Sequence, residues 1–175
     1  MNRVTVIGGG LAGCEAALQL ASRNIPVRLV EMRPEVETPA HRSSMLAELV
    51  CSNSLKSMDP VTASGLLKEE LKALRCVLLE TAARCSVPAG HALAVDRELF
   101  ASEVTAMIED SPLIDLQRWE AAALPSEGCV IVATGPLTSD SLSSSIGDHF
   151  DGGKLYFYDA IAISVESESI DESRI

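Results

Sequence analysis

Aromatic residues are scarce in this chain of 175 residues, which has three Phe, two Tyr and one Trp. Modules that bind single-stranded nucleic acid stack exposed bases on such rings, so the scarcity disfavours a self-contained module of that class. Apolar residues make up 47% of the chain and charged residues 22%. These values are ordinary for a globular domain, and they disfavour a disordered, collagen-like or purely coiled-coil protein.

Paired cysteine motifs and a leader motif are also missing. The chain has five cysteines, an odd number, with no C-x-x-C pair and no histidine at ligand spacing, so neither a disulfide framework nor a zinc site is indicated. The first residues lead directly into a strand pattern, and no apolar run is long enough to span a membrane. We therefore expect a reduced, cytoplasmic protein without a metal or a membrane partner. Four cysteines lie in helical or strand patterns and are expected in the core: Cys14, Cys76, Cys85 and Cys129.

Basic residues are in the minority, with 14 Lys and Arg against 25 Asp and Glu, a net charge of -11. Residues 1–100 are balanced at 11 against 11, so residues 101–175 carry 3 basic and 14 acidic residues. A phosphate backbone would be repelled by such a chain. We expect the acidic surface to be simply solvated, and any nucleic-acid contact to use a local basic surface or one outside this chain.

The first 31 residues have the pattern of a βαβ unit. An apolar run at 4–7 is followed by Gly8-Gly9-Gly10-Leu11-Ala12-Gly13, which satisfies G-x-G-x-x-G, and then by apolar residues at helical spacing. A second strand ends at Glu31, 18 positions after Gly13, where a carboxylate can accept hydrogen bonds from a ribose diol. In such a turn Gly8 allows the bend, Gly10 lets a pyrophosphate approach, and Gly13 lets the helix pack on the strand. The pattern predicts a dinucleotide site.

Two features favour FAD over NAD, although an NAD-binding protein remains an alternative. Glu15 follows two positions after the last glycine, and Ala133-Thr134-Gly135 closes a later apolar strand, as in flavoproteins. Glu15 also has a simpler interpretation, since an acidic side chain in the first turn of a helix is stabilised by the helix dipole.

The rest of the chain continues an α/β pattern. Residues 32–64 lack periodicity, and an irregular segment of that length is usually functional or mobile. Helices are predicted at 66–84, from Asp96 through Met107, and as a short helix starting in 139–145; a turn is predicted at 87–90, and strands at 113–116, 129–133, 155–158 and 161–163. The strand at 129–133 is fully apolar, which is typical of a strand buried in a parallel sheet.

Three polar groups leave more than one interpretation open. Cys51 lies in the irregular segment near His41, Arg42 and Lys56, where a cation could activate the thiol; on chemistry alone, an inert buried cysteine is the simpler interpretation. The cluster of His91, Asp96 and Arg97 needs no catalysis, because Asp96 can cap a helix. The charges of Lys68, Glu69, Glu70 and Lys72 at helical spacing are typical of a solvated face.

Several longer strings resemble one family. The chain resembles the N-terminal part of the folate- and FAD-dependent tRNA (uracil-5-)-methyltransferases in the glycine turn with its continuation to Ala17, in E-M-R-P at 31–34, and in T-P-A-H at 38–41. The match continues through E-L-V-C-S-N-S at 48–54, G-L-L-K-E-E at 65–70, V-P-A-G at 87–90, A-V-D-R at 94–97, A-T-G-P-L-T-S at 133–139 and L-Y-F-Y-D-A at 155–160. The strings at 48–54 and 133–139 are far more specific than the glycine turn.

The resemblance implies formation of 5-methyluridine in the T-loop of tRNA. Methylenetetrahydrofolate would supply the carbon, reduced FAD the electrons, and NAD(P)H would reload the flavin. Cys51 matches a cysteine implicated in that family, either as a nucleophile at uracil C6 or as a proton carrier. Gly8, Gly10, Gly13 and Glu31 match its FAD contacts. The candidate cofactor site as a whole comprises Gly8, Gly9, Gly10, Leu11, Ala12, Gly13, Glu31, Arg33, Thr134 and Gly135.

Members of that family are a good deal longer than this chain. We therefore interpret residues 1–175 as the N-terminal part of an FAD-binding domain with a Rossmann-like parallel sheet that is incomplete in this chain. The tRNA contacts would then lie in parts absent from this chain, and exposed apolar surface is expected to favour self-association. The alternative is an FAD- or NAD-binding module without activity of its own.

Overall fold

The computed structural model describes residues 3–150, so the strands predicted at 155–158 and 161–163 lie outside the described residues. Seven strands, five α-helices and one 3-10 helix occur in residues 3–150. In chain order they are β1 Val4–Ile7, α1 Leu11–Ser22, β2 Val27–Glu31, β3 Ser54–Ser57, α2 Ala63–Ala73, α3 Val77–Arg84, β4 Ser86–Val87, β5 Ala92–Val95, α4 Arg97–Glu109, β6 Ile114–Arg118, β7 Cys129–Val132, the 3-10 helix Gly135–Leu137 and α5 Asp140–His149. None of the helices in this range is both long and apolar enough to cross a membrane.

A four-stranded parallel sheet in the order β6-β2-β1-β7 carries the fold. The register places Val6 of β1 beside Leu29 of β2 and Ile131 of β7. Val6 and Leu29 are fully buried in the main core, together with Phe100 from α4. Apolar strands between helices form such a sheet because the crossover helices cover their faces. The α/β class and the parallel sheet that the sequence predicts are confirmed.

A second sheet of three antiparallel strands, β3-β5-β4, corrects the interpretation of residues 32–64 as wholly irregular. Ser54 of β3 pairs with Ala94 of β5, and Ser57 pairs with Ala92. The turn predicted at 87–90 is confirmed as the connection between β4 and β5. Sequence periodicity missed β3 because this strand is short, polar and only half-buried, so no alternation of apolar residues marks it.

The single helix predicted at 66–84 is wrong, because the chain forms two helices there. Arg75 adopts a left-handed conformation with φ 58°, which ends α2 and turns the chain into α3. The first N–H groups of α3 are capped from another helix: Glu15 of α1 accepts hydrogen bonds from Val77 N at 3.0 Å and Leu78 N at 2.9 Å. A carboxylate at a helix N-terminus stabilises the unpaired N–H groups and the dipole. Glu15 therefore stabilises the contact between α1 and α3.

The predicted solvated face of α2 is also wrong at Lys68, which is buried. Its Nζ donates to the backbone oxygens of Ser57 at 3.0 Å and Ser64 at 3.1 Å. Burial, followed by the charge of Lys56, lowers the pKa of Lys68. Helix α2 thus turns a lysine inward, and apolar side chains of the helix are exposed instead: Leu66 and Leu67.

Among residues 3–150, strand β7 lies at the edge of the parallel sheet, whereas its apolar sequence predicts a place in the buried interior. Cys129 is exposed, and Val132 keeps 42% of its surface accessible. The other three cysteines of the expected core are buried: Cys14, Cys76 and Cys85. An edge strand with apolar side chains resembles a buried one in sequence, because burial depends on elements that are remote in the chain.

Candidate functional site

The glycine turn joins β1 to α1, and backbone atoms leave no room for a side chain at Gly8 and Gly13. Gly8 has φ +103°, and a Cβ there would meet the backbone oxygen of Ala133 at 2.6 Å. A Cβ on Gly13 would lie 1.8 Å from the backbone oxygen of Gly8. These contacts match the bend and the close helix packing predicted for Gly8 and Gly13.

Gly10 stands in contrast, because no atom of the described residues would lie within 4 Å of a Cβ at this position. It is the N-cap residue of α1, and no side chain caps the helix there. The first N–H groups of α1 are therefore available, and the helix dipole favours an anion at this position. The space and the uncapped donors are what a pyrophosphate requires.

Glu31 ends β2 beside the glycine turn, where its carboxylate is buried. Its Oε2 accepts Gly9 N at 2.7 Å, and its Oε1 accepts Arg33 N at 3.1 Å and Arg33 Nε at 2.8 Å. Burial would raise the pKa of Glu31, but the hydrogen bonds and charge of Arg33 outweigh it and lower that pKa. A carboxylate offers about four acceptor positions, so one on Oε2 is left for a ligand hydroxyl.

Arg33 is the centre of a buried polar network. Its Nη1 donates to Glu48 Oε2 and to the backbone oxygen of Ser43, both at 3.2 Å. Arg118 of β6 donates to the backbone oxygen of Arg33 at 3.0 Å. The guanidinium thus joins two carboxylates, Glu31 and Glu48, and its Nε and Nη1 are already engaged within the protein.

A cavity of about 310 Å³ opens at the carboxyl ends of β1, β2 and β7. Ligands of open α/β sheets bind at this edge. The cavity collects nine of the ten predicted cofactor-binding residues, and Gly13 lies behind the turn as a packing residue. The nine lining residues are Gly8, Gly9, Gly10, Leu11, Ala12, Glu31, Arg33, Thr134 and Gly135.

The opposite wall of the cavity comes from the segment after β7. Thr134 and Thr138 bond to each other through their hydroxyls at 2.6 Å, across the 3-10 helix. Both residues, with Gly135, also line a second and more open groove of about 700 Å³ beside β7. The A-T-G-P-L-T-S string therefore stands between two adjoining concave surfaces.

A family model described as "Glucose inhibited division protein A" matches residues 3–175. The chain belongs to this family. Curated relatives that match over the whole chain are named methylenetetrahydrofolate–tRNA-(uracil-5-)-methyltransferase TrmFO. The protein of Dictyoglomus thermophilum is 53% identical over 175 residues, which is 100% of this chain and 40% of that protein. The protein of Geotalea uraniireducens is 55% identical over 173 residues, again 40% of its length.

The chain thus spans about 40% of the length of the curated relatives that it matches. Two solved structures are similar at a looser level. The GidA-related protein from Thermus thermophilus has a TM-score of 0.41 and 15% identity, over 76% of this chain and 52% of that one. CtdE in complex with FAD and substrate 4 has a TM-score of 0.43 and 14% identity, over 78% and 38%.

In this member of the glucose inhibited division protein A family, Cys51 is exposed. The expectation that Cys51 is buried is therefore wrong. The preceding residue, Val50, lines the 310 Å³ cavity, so Cys51 lies next to its wall. Asn53 fixes the segment from the other side, since its backbone oxygen accepts Val95 N at 2.9 Å and its Nδ2 donates to the oxygen of Val95 at 3.2 Å.

The cavity residues that were not named as site residues from the sequence include His41, Glu48 and Trp119. His41 lies in the segment 32–64, where its Nδ1 is 2.5 Å from Thr38 Oγ1, and burial followed by the charge of Arg33 lowers its pKa. Trp119 follows β6, and its backbone N–H donates to the backbone oxygen of Glu31 at 3.0 Å. A usable signal existed for Trp119, because the carboxyl ends of parallel strands meet at one edge of the sheet.

Asp96, by contrast, is the helix cap that the sequence predicts. Its Oδ1 accepts Leu99 N at 3.0 Å at the start of α4. His91 and Arg97 are absent from the residues that line the cavity. Helix capping therefore explains Asp96, and the other two residues of the cluster lie away from the cavity.

Proposed function

We propose that the natural polypeptide carrying this chain methylates C5 of the T-loop uridine of tRNA to give 5-methyluridine. The one-carbon donor is methylenetetrahydrofolate, and the flavin is reloaded by NAD(P)H. The observation that carries this proposal is identity of 52 to 55% along nearly the whole chain to relatives that bear the methylenetetrahydrofolate–tRNA-(uracil-5-)-methyltransferase name. Residues 1–175 are then the N-terminal part of an FAD-binding domain, working in the cytoplasm.

The residues of the cavity fit FAD. The uncapped N-terminus of α1 and the open space at Gly10 accommodate a pyrophosphate, and the free acceptor position on Glu31 suits a ribose hydroxyl. Thr134 and Gly135 form the far wall, where the rest of the cofactor would lie. When bound and reduced, FAD supplies the electrons that bring the transferred carbon to the methyl level.

Glu31 and Arg33 have different roles where the ribose would bind. Glu31 is ionised because its pKa is lowered, so both carboxylate oxygens act as hydrogen-bond acceptors at neutral pH. Arg33 balances that charge inside the protein. The same carboxylate repels a phosphate on the ribose, which favours a dinucleotide with free ribose hydroxyls.

Cys51 is the chemical thiol of the proposal. A thiolate that adds to C6 of uracil forms the S–C6 bond and makes C5 enolate-like, so C5 can attack the folate methylene. That attack forms the C5–CH2 bond, and loss of the C5 proton then breaks the bond between this carbon and the folate nitrogen, which leaves a methylene group on C5. The two electrons and the proton that reduced flavin would supply convert the methylene to a methyl group, as the S–C6 bond breaks and the C5–C6 double bond is restored. Proton transfer at C5 by the same thiol is the other role compatible with an exposed thiol next to Val50, which lines the cavity.

The function is tested by Cys51→Ala in the natural polypeptide. We expect methyl transfer to fall at least about 100-fold, because no other group can take over a nucleophile or proton carrier, while flavin content stays unchanged. The measurement is incorporation of the folate carbon into a tRNA transcript that lacks 5-methyluridine.

Cys129→Ala is the matched control, because Cys129 is the other exposed thiol in residues 3–150 and begins β7 at the end remote from the cavity. Near-normal turnover in Cys51→Ala would remove Cys51 from the chemistry. A wild-type protein that holds FAD but never methylates tRNA would favour the alternative, a nucleotide-binding module.

A further inference from the structure

A continuous set of hydrogen bonds and ion pairs links the glycine turn to the segment that carries Cys51. Gly9 N donates to Glu31 Oε2 at 2.7 Å, and Arg33 Nε donates to Glu31 Oε1 at 2.8 Å. Arg33 Nη1 then donates to Glu48 Oε2 at 3.2 Å. Glu48 precedes Cys51 by three positions in the chain.

The ion pairs in this set are buried, which distinguishes them from those on the surface. The side chains of Glu31, Arg33 and Glu48 are 7%, 4% and 14% exposed. In contrast, the pair of Lys72 and Glu69 on α2 is nearly half exposed on both sides. Removing one member of a buried pair leaves the other charge without compensation, so a buried set holds one defined arrangement.

Glu48 also holds together two parts of the chain that border the cavity. Its Oε1 accepts Arg42 N at 2.8 Å, and its Oε2 accepts Ser43 N at 3.2 Å and Ser43 Oγ at 2.8 Å. Burial would raise the pKa of Glu48, but these bonds outweigh it and lower that pKa, so the carboxylate is charged at neutral pH. Val50, two positions further, lines the cavity. A shift of Glu48 would therefore move both the cavity wall and the Cys51 segment.

We propose that Glu48 is a positioning residue that couples occupancy of the dinucleotide cavity to the placement of Cys51. The inference rests on the proposed function, since it takes FAD as the ligand and Cys51 as the chemical thiol. A ribose hydroxyl on Glu31 Oε2 changes how strongly Glu31 holds Arg33. Arg33 transmits that change to Glu48, because its guanidinium donates hydrogen bonds to both carboxylates.

The test measures the alkylation rate of Cys51 by iodoacetamide in the natural polypeptide, with and without saturating FAD. Trypsin cuts after Arg42 and Lys56, so peptide 43–56 reports on Cys51 as its single cysteine. We expect FAD to change the rate about five-fold or more in the wild type, the lower range of coupling between two sites. In Glu48→Gln the change should fall below about two-fold while FAD still binds, because Glu31 and the glycine turn are intact.

Glu103→Gln is the control, because it removes the same charge from an ion pair with Arg84 that is partly exposed and does not line the cavity. It should keep the full FAD effect. If Glu48→Gln fails to fold by circular dichroism, Ser43→Ala replaces it, since it removes only one donor to Glu48 and should weaken the FAD effect partially.

The outcomes separate the two proposals. An equal FAD effect in the wild type and in the Glu48 or Ser43 variant, or no FAD effect in a wild type that binds FAD, overturns the coupling and leaves the proposed function standing. Absence of FAD binding by the wild type overturns the proposed function, and the coupling with it.

Discussion

Gly10 and Gly13 belong to one turn, yet the space around them differs completely. A Cβ on Gly13 would overlap the backbone oxygen of Gly8, whereas a Cβ on Gly10 would meet no atom of residues 3–150 within 4 Å. Gly10 has φ -76°, a value that any residue adopts. The folded protein can therefore accept a side chain at Gly10. We expect that a ligand bound in this space would clash with such a side chain.

Gly10→Val therefore tests the cofactor site directly. We expect it to lower the free energy of unfolding by less than about 1 kcal/mol. It should weaken FAD binding at least about ten-fold, or about 1.4 kcal/mol, because the methyl groups occupy the pyrophosphate space. Fluorescence titration with FAD and urea unfolding are the measurements. Gly13→Ala is the contrast, with a destabilisation of about 3 kcal/mol or more from overlap. Unchanged FAD affinity in Gly10→Val would move the pyrophosphate elsewhere.

We expect the buried thiol of Cys14 to make the free energy of unfolding depend on pH. Burial first, and then the charge of Glu31, raise the pKa of this thiol from 9.0 to about 12. Between these values the unfolded chain loses the proton and the folded chain keeps it, so stability falls as pH rises. Each pH unit in that window costs about 1.4 kcal/mol.

Cys14→Ser should remove this slope while keeping a donor to the backbone oxygen of Gly9, which Cys14 Sγ now reaches at 3.3 Å. Urea unfolding between about pH 8 and pH 11, as the difference between the two proteins, isolates the contribution of this thiol from that of other groups. Parallel curves for the wild type and the variant would show that the thiol ionises normally in the folded protein.

At the scale of the element, the side chain of Glu15 joins α1 to α3. The position of Glu15 two residues after the last glycine of the turn favours a role at the cofactor when the sequence is considered alone. Glu15 accepts two N–H groups of α3 and also Gln19 Nε2 at 2.8 Å. Glu15→Ala should lower the free energy of unfolding by about 1 to 2 kcal/mol, the cost of a lost helix cap, and leave FAD affinity unchanged.

Asp96→Ala is the matched control for Glu15, since it removes the cap of α4 and should cost about 1 kcal/mol. Urea unfolding and FAD titration on both variants decide the matter. A Glu15→Ala protein of full stability with weakened FAD binding would return Glu15 to the cofactor site.

The sequence predicts the bounds of the elements around the glycine turn better than those of the α2 and α3 region. The bounds of β1, α1 and β2 follow from apolar periodicity and from the glycine turn. The start of α3 after Arg75 and the burial of Lys68 do not, because Glu15, which accepts from Val77 N, lies 62 positions from Val77, and Ser57 lies 11 positions from Lys68. Propensity cannot report on such contacts.

At the scale of the whole molecule, charge limits what residues 1–175 bind by themselves. The net charge is -11, and residues 101–175 hold 14 acidic against 3 basic residues. We expect these 175 residues alone to show no tight tRNA binding, because counterion release needs clustered Lys and Arg. Filter binding with labelled tRNA at low salt, beside the natural polypeptide, measures this. Tight and salt-sensitive binding would require a basic surface within residues 1–100.

The sequence by itself determined the βαβ unit and predicted a dinucleotide site, and nine of the ten residues predicted for that site line the cavity. These features depend on neighbours in the chain and on glycines that sterics demand. The FAD-dependent reaction on tRNA came from resemblance and stays a proposal. Only the tertiary structure decided that Cys51 is exposed beside Val50, that β7 lies at the edge of the sheet formed within residues 3–150, and that Arg33 joins two carboxylates. Burial and ion pairing arise where segments far apart in the chain meet, and no local pattern encodes that meeting.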